Sequence, residues 1–197
     1  TEKDYILKYK HYGLNDPTVF SFITSILAET DLPNLRILSL EAITNDPGYR
    51  SFFPEDTISY VDDFIANPSK LGRTIRSING QQFILLRPTG NPVVDIGVAF
   101  HEVGHALLND LKNGLLEKGS PTLARLEEAF KKHPKYKTYV DNQGGGDFSK
   151  GFNEWFADQF AKRSSKAFIN KKPKNIVDKI FNDLVQKVRQ FWRKASR

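Results

Sequence analysis

The run Ala99-Phe100-His101-Glu102-Val103-Gly104-His105-Ala106-Leu107-Leu108 constrains this chain more than any other feature. Two histidines four residues apart on a helix lie one above the other on the same face, so both imidazoles can reach one metal ion. The glutamate between them then sits beside that ion, where it can take a proton from a bound water. With four histidines and nine glutamates in 197 residues, chance gives this spacing in about one such sequence in 300. A site of this kind needs a further donor from elsewhere in the chain, so the fold must bring a second element onto this helix.

The surrounding sequence fits an internal position for the motif helix. Asn91-Pro92 is a cap-then-proline start, and the helix is expected to run to about Asn113 with Gly114 as its stop. Val94, Ile96, Val98, Ala99, Phe100, Ala106, Leu107, Leu108 and Leu111 surround it with apolar groups, which predicts a buried helix. Gly104 costs about 1 kcal/mol of helix propensity. Close approach of another backbone is the expected compensation.

Cysteine is absent, so a metal must use His, Asp or Glu. Asp110, five residues past His105, points away from the metal face. His133 follows a lysine pair at a helix end and reads as a surface residue. Glu154, in Asn153-Glu154-Trp155-Phe156-Ala157-Asp158, is the better third ligand. It shares a helix face with Asp158 and with the small residues Gly151, Ala157 and Ala161. The same helix carries an aromatic stripe of Phe152, Trp155, Phe156 and Phe160. Two carboxylates beside such a stripe are costly to bury unless a cation compensates them. Asp158, one turn from Glu154, stands where a carboxylate could receive the second ring N–H of a metal-bound histidine.

H-E-x-x-H followed by N-E-x-x-x-D resembles the gluzincins, the thermolysin-like branch of the zinc metallopeptidases; the likeness covers about thirty residues. The positions that would carry glycine and histidine in the metzincin pattern, 108 and 111, are both leucine. There is a weaker likeness to metallopeptidase domains of phage, mobile-element and toxin polyproteins. The gluzincin resemblance implies one Zn²⁺ held by His101, His105 and Glu154, Glu102 as general base, Asp158 orienting His101, and a peptide or protein substrate. By the same resemblance, the strand Gln82-Phe83-Ile84-Leu85-Leu86 before the motif helix would be an edge strand pairing with the extended substrate. Tyr136, Tyr139, His133 and Arg163 remain open as the donor to a developing oxyanion.

The expected fold class is α+β and zincin-like: a small mixed sheet, an N-terminal helix, a buried motif helix and a mainly helical C-terminal part. Asp16-Pro17 opens the N-terminal helix, and Arg36–Ala42 suits a half-buried strand. A short helix is expected around Ile58–Ala66. Thr74–Ile78 and Gln81–Leu86 flank Asn79-Gly80, a pair that favours a type I′ hairpin turn. Ser120-Pro121 starts a helix to about Lys132. A polar connection through Gly144-Gly145-Gly146 follows, read as a surface turn rather than a lid hinge. Ser149 or Asp147 then caps the Glu154 helix, and Pro173 starts the last one. Residues 1–170 are expected to form the metallopeptidase domain, with 171–197 a basic amphipathic helix packed on it, one domain overall.

The net charge of +6 is uneven. From Lys162 onward twelve Lys/Arg face two acids, a surplus of ten, while 1–161 carries seventeen against twenty-one. Lys179, Lys187, Arg189, Arg193 and Lys194 therefore support a second functional class, nucleic-acid or anionic-surface binding, although a solvated helix face accounts for them too. No run reaches the roughly 18 apolar residues of a membrane span. Without Met, Cys or a leader, the chain is expected to be a soluble processed product or excised domain.

Overall fold

The computed structural model describes residues 35–164 and 175–184. The expected N-terminal helix after Pro17, the 170/171 boundary, and Lys187, Arg189, Arg193 and Lys194 lie outside them. Within them the fold is helices plus one small three-stranded sheet, an α+β arrangement. None of the described helices is long and apolar enough to cross a membrane. The chain divides into two compact units, and the break falls between Glu102 and Val103, inside the motif helix.

The first unit holds β1 (Leu35–Ser39), α1 (Leu40–Thr44), two short 3₁₀ turns (Tyr49–Phe52 and Glu55–Thr57), α2 (Ile58–Ala66), β2 (Gly72–Arg76) and β3 (Gln82–Leu86). The strand expected over Arg36–Ala42 stops at Ser39. There the chain turns into a helix, and Leu40 and Ile43 pack on the core instead of continuing the sheet. The Ile58–Ala66 helix forms as expected.

Sheet order is β1-β3-β2, with β3 parallel to β1 and antiparallel to β2. All five residues of β3 are buried, which is why this strand reads as a nearly continuous apolar run rather than an alternating one. Ile75, Phe83 and Leu85 meet Val61 and Phe64 of α2, with Phe53 and Ile43, on one face. This placement corrects the substrate-strand expectation. Gln82, Phe83, Ile84, Leu85 and Leu86 hydrogen-bond to a neighbour on each side, so β3 has no edge left for a peptide.

The hairpin turn also differs from expectation. A type I′ turn needs positive φ at both central residues, yet Gly80 has φ +87° and no non-glycine residue among those described has positive φ. Ser77 accepts from Gly80 N–H, and Ser77 N–H donates to Gln81. The loop thus has three residues, a type I-like turn closed by left-handed Gly80. Asn79 Oδ1 accepts from Gln81 N–H, a local bond that Asn makes without leaving negative φ. Asp56 holds the turn by accepting from Ser77 Oγ and Ile78 N–H, and these bonds lower its pKa.

α3 (Pro92–Leu111) is the motif helix. Asn91 Oδ1 accepts from Val93 and Val94 N–H, as expected of a cap. The first turns are not buried, however. Val93 is 81 % exposed, and burial begins at Ala99 and continues through Glu102, Val103, Ala106 and Leu108. Gly114 does not end the helix with a left-handed residue; the last turn tightens through Asn113 N–H to Asp110 and Gly114 N–H to Leu111.

The second unit adds α4 (Pro121–Lys131), a π-helix (Thr138–Gln143), α5 (Phe148–Ser164) and a helical stretch over 176–184. Ser120 caps α4 through its hydroxyl, and of the two expected caps of α5 it is Asp147 that accepts from Ser149 and Lys150 N–H. The last stretch is capped by Asn175 Oδ1, which accepts from Asp178 N–H; Ile176, expected on its apolar side, is exposed. Rings of Phe130, Phe148, Phe152, Trp155, Phe156 and Phe181 form a chain of edge, tilted and (Phe148–Phe152) stacked contacts 5.0–6.4 Å apart.

Arg87, just after β3, ties the first unit together. Its guanidinium donates to the carbonyls of Phe64 (2.8 Å), Asn67 and Lys70, satisfying the end of α2, and lies over the Phe64 ring. Arg87→Leu is expected to lower unfolding free energy by about 1–3 kcal/mol, because several carbonyls lose their donor. Urea denaturation checks this, and an unchanged midpoint would show those carbonyls are served by water.

Candidate metal centre

α3 carries His101 and His105 on one face, and α5 carries Glu154. The ligating atoms of these three residues all lie within 4.8 Å of one another, a grouping that can hold a metal ion. His105 Nε2 and Glu154 Oε1 are 3.6 Å apart. Bonds of about 2.0–2.2 Å around a tetrahedral zinc put neighbouring donors about 3.3–3.6 Å apart, so this pair already stands near coordination spacing. Two imidazole nitrogens and one carboxylate oxygen form a donor set suited to zinc that leaves one position open. Neither Asp110 nor His133 belongs to the group.

The reason this pair can meet lies at Gly104. A Cβ there would fall 2.9 Å from Ala157 Cα and 3.3 Å from Ala157 O. α3 and α5 therefore touch backbone to backbone beside the residues that bear the ligands. The helix-weakening glycine is explained by close approach, as its sequence position suggested. Gly151 plays the same part on the other side of α5: its Cβ would sit 3.0 Å from Tyr139 and Val140 backbone atoms. Gly144 is also buried against backbone, with Asp147 O 2.5 Å from a hypothetical Cβ. The glycine run is thus a packed junction at its first residue and an exposed turn only at Gly145 and Gly146.

Glu102 is 7 % exposed. Thr74 Oγ1 lies 2.7 Å from its Oε2 and 2.9 Å from its backbone carbonyl. Thr74 was legible only as a strand residue, since nothing in the sequence ties β2 to the motif.

The remaining expected residues are placed as follows. Tyr139, in the π-helix, donates its phenolic proton to Asp158 Oδ2 at 2.6 Å. Burial, and then the Asp158 carboxylate, push the Tyr139 pKa well up, so the phenol keeps its proton. Arg163 is held by Asp178 and Gln159 and stacks on Phe181. Tyr136 packs edge-on against Phe130. His133 lies against Tyr139 and Trp155. Its Nδ1 accepts from Lys135 N–H, a bond that the protonated ring cannot accept. Of the four oxyanion candidates, Tyr139 and Arg163 therefore have donors already engaged in the fold.

No protein-family model, no curated protein and no solved structure matches the chain.

Two expectations follow. Gly104→Ala gains helix propensity yet forces the helices apart, so it should lower both thermal stability and metal affinity; isothermal titration with Zn²⁺ and a melting curve read the two, and a stabilised variant with intact affinity would refute the contact argument. His133 has its pKa lowered, first by burial and then by Lys162 and Lys135. The unfolded chain then takes up a proton that the fold resists, so stability should fall as pH drops below about 6.5. His133→Phe should flatten that part of a stability–pH curve.

Proposed function

We propose that the protein is a zinc-dependent endopeptidase. The observation that carries this reading is the convergence of His101, His105 and Glu154 from two helices with the buried Glu102 carboxylate in the same turn of α3. Zinc held by those three residues would supply a Lewis acid that polarises a peptide carbonyl and lowers the pKa of a water to about 7. Glu102 accepts the proton of the attacking water and returns it to the leaving amine. Asp158, fixed by the Tyr139 phenol, orients His101 through its second ring nitrogen. Nothing in this scheme requires a covalent intermediate.

The peptide-pairing role falls to β2 rather than β3. β1 and β2 are the two edges among the described strands, and it is β2 whose Thr74 touches Glu102, so a chain added to its edge would run past the base.

Metal analysis and a peptide-library digest test the reading together. The purified chain should bind one zinc and cleave peptides. Glu102→Gln should keep the zinc and lose about 10²–10⁴-fold in kcat, and Glu154→Ala should lose stoichiometric zinc. Unchanged zinc affinity in Glu154→Ala would remove the third ligand and the proposal with it.

A further inference from the structure

Strand β2 does more than pair with β3. Gly72 and Thr74 are two residues apart and so face the same side of the sheet, and both meet Glu102. At Gly72 a Cβ would lie 2.7 Å from Glu102 Oε1, 2.8 Å from its Cγ and 2.7 Å from Val98 Cγ1. The Glu102 side chain therefore lies across bare Gly72 backbone. Val98, one turn earlier on α3, crowds the same spot. The other carboxylate oxygen is reached by Thr74 Oγ1 at 2.7 Å, and the same hydroxyl is 2.9 Å from the Glu102 carbonyl. A threonine hydroxyl has one proton, shared here between the two acceptors.

A glutamate has three side-chain torsions, and a helix restricts only the first of them strongly. Without support, the carboxylate on α3 would sample several rotamers, and a proton acceptor displaced by about 1 Å can lose about 10²-fold in rate. We propose that Gly72 and Thr74 form a seat that holds the Glu102 carboxylate in one orientation, Gly72 by leaving space for its stem and Thr74 by binding Oε2. Thr74 is thus a positioning residue. This inference rests on the reading of Glu102 as the base.

The test has one arm that needs no activity. In metal-free protein, Thr74→Val removes the hydroxyl and keeps the β-branched shape. Melting temperatures of wild type, Thr74→Val, Glu102→Ala and the double variant form a cycle. The hydroxyl's contact with the carbonyl of residue 102 is available in both backgrounds, so the cycle isolates the carboxylate. Thr74→Val should lower Tm by about 2–6 °C when Glu102 is present and by less than half as much when it is absent. Additive shifts overturn the seat.

The second arm is kinetic. Thr74→Val should lower kcat about 10–100-fold with KM and zinc stoichiometry unchanged. Thr74→Ser should recover most of the loss, and Gly72→Ala should reproduce it. If wild type cleaves peptides and Thr74→Val does so at the wild-type kcat, the positioning role is wrong although the endopeptidase reading stands. If wild type binds zinc and cleaves nothing while the cycle shows coupling, the endopeptidase reading fails and the seat stands.

Discussion

The contact between Gly104 and Ala157 is the constraint on which the site depends. A carboxylate and an imidazole 49 positions apart in the chain reach 3.6 Å only because the helices that bear them meet at two of the smallest residues available. Helices packed through larger side chains sit about 8–10 Å apart, and a larger residue at 104 would meet Ala157 backbone before either ligand could close. The cost of placing glycine mid-helix, about 1 kcal/mol, is modest beside the loss of a coordination sphere.

The acidic groups tolerate such surroundings through specific partners. Glu102 is buried and Glu154 half-buried beside an aromatic stripe, positions where an uncompensated carboxylate is penalised. Each has a nearby polar partner: the Thr74 hydroxyl for Glu102 and the His105 ring for Glu154. The Asp158 carboxylate likewise takes the Tyr139 phenol. Glu102 and Asp158 are thus held by donors on β2 and the π-helix while Glu154 faces an imidazole of α3, and their orientation comes from tertiary packing rather than from helix geometry.

Much of this was legible in the chain because local chemistry coincides with tertiary demand. The cap-proline pairs mark the starts of α3 and α4, the i,i+4 histidines define a face, and the mid-helix Gly104 forecast a close neighbour. Illegible features were those in which a distant partner decides. Leu40 could continue a strand or start a helix, and packing with Ile43 decided it. Gln82–Leu86 looked suited to an edge by its place before the motif, whereas its unbroken apolarity was the better guide to a central strand. Asn79-Gly80 favours a two-residue turn in isolation; the Asp56 bonds to Ser77 and Ile78 select a three-residue loop. The Thr74–Glu102 bond spans 28 positions with no periodic signature at all.

The π-helix over Thr138–Gln143 carries a further implication. A turn of π-helix holds about one residue more than a turn of α-helix, and Tyr139 reaches Asp158 from within such a segment. Removing a single amino acid from this segment would let the wide turn relax to ordinary α geometry and shorten the backbone that presents the Tyr139 phenol to Asp158. Gly144 and Gly151, buried against their neighbours' backbones, leave no slack to absorb that shortening. The length of this stretch is therefore under stricter control than its composition: substitutions at its exposed positions can drift, whereas insertions and deletions cannot.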